Sequence, residues 1–83
     1  MKFYVAWGYR RNPTPDDICI CRDTYEEAKR ISIEYAGENF DPMVFVNVHR
    51  RWYCVLCRDP KTGRLWVSAD YINYTQRFLS DWY

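Results

Sequence analysis

Four cysteines, one histidine and a surplus of arginine are the residues best equipped for chemistry in this chain. Cys54 and Cys57 have the spacing of half a zinc site, and Cys19 and Cys21 alternate so that both thiols face one side of a strand. His49 could add a nitrogen to the four ligands that tetrahedral zinc requires. A zinc-dependent structural domain is therefore one reading. Against it, Cys54-Val-Leu-Cys57 lies inside an apolar strand, where residues three apart point to opposite faces, whereas zinc-binding pairs sit on tight knuckles. Free cysteine is among the most buried residue types and packs as a small hydrophobe. A reactive thiol pair also wants a helix N-terminus to stabilise thiolate. The thiols are expected to be core, with no metal and no cofactor.

Catalytic machinery is equally hard to assemble from the sequence. His49 has no Ser, Asp or Glu beside it that would complete a nucleophilic arrangement. Asp16, Asp17, Glu26 and Glu27 cluster near the start of a helical segment, where carboxylates complement the helix dipole. No glycine-rich loop could cradle phosphate. The expectation is a protein that binds and does not catalyse.

The guanidinium groups carry the sharper signal. Of 12 basic residues nine are Arg and three Lys, and Arg offers a planar fork of donors suited to carboxylates and phosphates. Arg10 and Arg11 close the first strand, while Arg50, Arg51 and Trp52 follow His49 at an expected hairpin tip, with Tyr9 and Tyr53 close by. These five, Arg10, Arg11, Arg50, Arg51 and Trp52, are the candidate partner-binding residues. Arg, Trp and Tyr are the side chains enriched at binding hot spots, and the same set could grip phosphates and stack on unpaired bases. Charged residues at strand ends also guard edges and keep a protein in solution.

The elements that must position these groups emerge from periodicity. Residues 2–10 alternate, with Phe3, Val5, Trp7 and Tyr9 on one face. Arg11-Asn-Pro-Thr-Pro-Asp-Asp17 is a loop, and Ile18–Arg22 a short strand. Thr24 and Glu27 have capping-box spacing; Ala28, Ile31 and Tyr35 then recur at helical intervals flanked by Tyr25, Ser32 and Ala36, and Gly37 ends a helix over 25–36. Ile33 falls off the apolar stripe. Asp41-Pro42 breaks the chain, after which Val44, Val46 and Val48 alternate with Phe45 and Asn47 as a third strand. Residues 52–58 form a fourth; His49-Arg50-Arg51 before it lacks the Gly or Asn of a tight hairpin, leaving a bulged continuous strand as the alternative. Asp59-Pro-Lys-Thr-Gly63 is a better turn, leading into a fifth strand marked by Leu65, Val67 and Ala69. Tyr71, Tyr74, Phe78 and Trp82 share a helical stripe over 70–83, expected to lie over the sheet as core. The order β-β-α-β-β-β-α predicts an α+β fold: an antiparallel sheet of about five strands with the helices packed on one face.

At 83 residues the chain makes one domain, 1–83. Hydrophobic residues at 48% and aromatic residues at 19% supply the apolar area that so small a core demands. A net charge of +1 creates no global field to recruit nucleic acid or anionic lipid. The apolar run near the N-terminus is too short for a signal peptide and no stretch reaches membrane-spanning length, so a cytoplasmic protein with reduced cysteines is expected. In size, aromatic content and lack of motifs the chain is similar to small phage-encoded inhibitors of host machinery, including anti-CRISPR proteins. That resemblance implies a protein that occludes or bridges a surface of a larger protein or ribonucleoprotein complex. An RNA- or single-stranded-DNA-binding module is the alternative. Either could be a monomer or a homodimer paired through sheet edges.

Overall fold

A computed structural model describes residues 1–59 and 62–67. It is an α+β structure in the order β1 (Phe3–Tyr9), a single 3-10 turn (Pro15–Asp17), β2 (Ile18–Arg22), α1 (Tyr25–Ala36), β3 (Phe40–Val48), β4 (Arg51–Arg58) and β5 (Leu65–Val67). The sheet order is β2-β1-β3-β4-β5 and every pairing is antiparallel. Four strands carry the sheet and β5 adds only three residues along β4, so the sheet is slightly smaller than the expected one of about five strands. The expected helix over 70–83 lies outside the described residues.

Local chemistry accounts for α1. The Thr24 hydroxyl accepts a hydrogen bond from the Glu27 N–H at 3.3 Å, satisfying one of the free donors of the first turn, and Gly37 leaves the helix at φ +62. Its buried side is Tyr25, Ala28, Ile31, Ser32 and Ala36. Tyr35, expected on that stripe, is 66% exposed, its ring centroid 6.2 Å from that of Trp7. Ser32 takes the inward place because its polar atoms are served: its hydroxyl donates to the Lys29 carbonyl and its own carbonyl accepts from Trp7 Nε1, both at 2.8 Å.

Phe3, Val5, Val44, Val46, Tyr53, Val55 and Leu56 form the core that α1 joins through Tyr25 and Ala28, with Phe3 and Tyr25 packed edge to face at 5.8 Å. A second core is buried as well: Ala6, Met43 and Phe45 are fully buried there beside Cys54 and Cys57, partly roofed by Tyr4, Ile18 and Trp52. Burial on both faces is why Met43-Val-Phe-Val46 is apolar at every position instead of alternating.

The pairing of β3 departs from the simplest pattern at two places. Proline does not break β3 as the sequence suggests; Pro42 pairs with Trp7 of β1. Pairing with β4 begins one residue later, at Met43 with Cys57, so the missing N–H of Pro42 costs the ladder nothing. Farther along, Val44 pairs with Leu56 but Phe45 pairs with Cys54. Val55 is thus an extra residue in β4, a bulge that shifts the strand's alternation by one.

Candidate interaction surface

The chain direction divides the five candidate residues between two ends of the sheet. β1 ends at Tyr9 opposite Phe40, the first residue of β3, whereas His49 and Arg50 come directly after Val48, its last. The length of β3 therefore separates Arg10 and Arg11 from Arg50 and Arg51 by about 26 Å, at roughly 3.3 Å per residue.

At the first end Arg10, Arg11 and Arg58 are each engaged. Arg11 is bidentate to Asp17, with Nη1 and Nη2 at 2.9 and 3.0 Å from the two carboxylate oxygens. The Thr14 N–H adds a third bond to Asp17 at 2.8 Å. These Arg11 and Thr14 donors hold the Asp17 carboxyl well below the usual carboxylate range. Arg10 donates to the Asn39 side chain at 3.4 Å and lies over the Tyr9 ring at 5.3 Å. Arg58, which the sequence pattern does not single out, joins them through Asp41 at 3.3 Å and donates to the Gly63 carbonyl at 2.7 Å. Arg10, Arg11, Arg58, Asp41 and Asp59 line a polar hollow of about 260 Å³. Three guanidinium groups face two carboxylates there, and Asp17, bound to Arg11 outside the lining, brings the corner's charge to balance. Arg58 could have been found from sequence only by knowing that β4 ends where β1 does.

The second end is a tight hairpin. Val48 pairs with Arg51, so His49 and Arg50 are its two central residues, and both have left-handed backbones, at φ +53 and +65. The absence of Gly or Asn thus did not exclude a two-residue turn. The geometry matches the twist of an antiparallel pair, and Asn-Gly is the pair that adopts it with least strain. His49, Arg50 and Arg51 are all exposed, and Arg50 makes no ion pair among the described residues. Trp52 differs: it is half-buried, its ring packed edge-on against Tyr4 at 5.1 Å and Phe45 at 6.1 Å. That packing anchors the base of the hairpin to the second core.

Among the described residues only Arg10, His49 and Arg50 combine a side chain with positive φ. All three belong to the arginine-bearing segments singled out from sequence.

Other chemistry is limited. Among the described residues no three His, Cys, Asp or Glu side chains come together as a metal site, and no helix is long and apolar enough to cross a membrane. Cys19 and Cys21 are exposed, with Cys19 falling in a register shift between β1 and β2; Cys54 and Cys57 are buried.

No family model, curated protein or solved structure matches this chain.

Proposed function

We propose that this is a non-catalytic binding protein that sets its β3–β4 hairpin tip against a larger protein or ribonucleoprotein and occludes the surface it covers. His49, Arg50 and Arg51 make the contact, Trp52 braces it from behind, and Arg10 and Arg11 form a second, charge-balanced contact at the far end. The mode of action is that of phage-type inhibitors of host machinery, anti-CRISPR proteins among them, and it places the chain in the cytoplasm.

One observation carries the reading. Left-handed backbone costs an L-residue about 1–2 kcal/mol, and here two consecutive residues bear it where Asn-Gly would relieve it. Strain of this kind gathers at functional sites, where the side chain matters more than the stability forgone. A protein target is favoured over nucleic acid because Arg10, Arg11 and Arg58 are occupied by Asn39, Asp17 and Asp41. Those three guanidinium groups are withdrawn from tracking a phosphate backbone.

The test is capture from host lysate by tagged protein, with and without nuclease, comparing the parent with an Arg50→Ala/Arg51→Ala variant. A partner retained after nuclease and lost with the variant, at unchanged melting temperature, is the expected outcome. Equal capture by both proteins would sink the tip as the contact. Capture that vanishes with nuclease would replace the protein target by nucleic acid.

A further inference from the structure

The bulge at Val55 changes what the two buried cysteines can do. In a regular strand residues 54 and 57 would point to opposite faces. Here Cys54 is in register with Phe45 and Cys57 with Met43, and all four side chains belong to the second core. Met43 and Phe45 are two residues apart on one strand, so the Cα atoms of the cysteines lie about 6.6 Å apart. That falls inside the roughly 4.4–6.8 Å window of disulfides, near its upper limit. Both thiols are buried in that core, and the Cys54 S–H donates to the Leu56 carbonyl oxygen at 3.3 Å.

We propose that Cys54 and Cys57 are a reversible redox pair that closes a disulfide within β4 when a peroxide reaches the second core. Cys57 reacts first. The neighbouring Cys54 lowers the Cys57 thiol, whereas burial pushes the Cys54 thiol up. The Cys57 thiolate attacks one peroxide oxygen; the O–O bond breaks, an S–O bond forms, and hydroxide leaves to take up a proton. The Cys54 sulfur then attacks the resulting sulfenic acid, forming the S–S bond as the S–O bond breaks. The Cys54 proton leaves with the departing hydroxide as water. Two thiols and one hydrogen peroxide thus give one disulfide and two waters. Because the Cα span lies at the long end of the window, the bond draws β4 together, and small thiols reopen it readily. Trp52 stands two residues before Cys54 in the same core, so the change is felt at the base of the hairpin.

The experiment uses a Cys19→Ser/Cys21→Ser variant, which removes the two exposed thiols and leaves the buried pair. After hydrogen peroxide, intact mass should fall by about 2 Da and return with dithiothreitol, and denatured protein should lose two alkylatable thiols. Peptide mapping of the same sample should place the link between Cys54 and Cys57, which makes the result independent of whether a Cys57→Ser variant folds. Two thiols still alkylatable after peroxide, or oxygen added without a reversible loss of 2 Da, would overturn the proposal.

Discussion

Under the proposed function the His49-Arg50 turn sets stability against binding, and a small set of variants separates the two. His49→Asn with Arg50→Gly installs the pair that accepts the observed angles of +53 and +65 at least cost. Relief of a left-handed L-residue returns about 1–2 kcal/mol at position 50. Glycine gives back about 0.5–1 of that through the greater freedom of its unfolded chain. Asn at position 49 adds about 0.5 kcal/mol, since Asn tolerates this region better than His. The net gain is about 1–1.5 kcal/mol, which for a domain of this size raises the melting temperature by roughly 5–10 °C. Arg50→Ala is the control: it removes the same guanidinium, keeps the strain and should leave the midpoint near that of the parent. Calorimetry or thermal circular dichroism reads the stability, and capture of the partner reads the binding. Both variants should bind poorly, but only the Asn-Gly variant should melt higher. A double variant that melts no higher than the parent would refute the strain assigned to this turn, and with it the main support for the tip.

Other substitutions probe the scaffold. Gly8→Ala should cost about 2–3 kcal/mol in urea denaturation, because a Cβ there would meet the Arg11 carbonyl oxygen at 2.2 Å. Thr24→Ala should lower stability by about 1 kcal/mol and Thr24→Ser by much less, since only the hydroxyl serves the Glu27 N–H. Asp17→Asn should cost about 0.5–1 kcal/mol at pH 7. Asp17 is depressed in the folded state, so its contribution is complete above the unfolded value near 3.9 and fades as pH falls below it. The gap between Asp17→Asn and the parent should therefore narrow steadily in urea midpoints taken from about pH 4 downward; a constant gap would exclude the linkage.

Much of this scaffold is visible in the order of residues. Thr24, Glu27 and Gly37 mark both ends of α1 because capping is local chemistry, and the alternation of Phe3, Val5 and Trp7 marks the face that meets the helix. What escapes is whatever depends on a neighbouring strand. Pro42 looks like a breaker until its one-sided pairing with β1 is known, and Cys54 and Cys57 look opposed until the register shift at Val55 is seen. Tyr35 leaves its expected stripe for solvent, while Ser32, expected beside that stripe, is fully buried with Trp7, distant in sequence, donating to its carbonyl. The candidate site divides the same way. Its arginines are legible as residue types, but that Asp17, Asn39 and Asp41 occupy one group while the hairpin presents the other is a fact of topology.

On the proposed binding function, the spacing set by β3 would bear on selectivity. A paired strand does not stretch, so the hairpin and the Arg10-Arg11 corner behave like the jaws of a fixed caliper. A target gripped by one jaw meets the other at high local concentration, but only if its own complementary patches are set about one strand length apart. Look-alike surfaces with the right chemistry at the wrong interval would engage a single jaw and dissociate quickly.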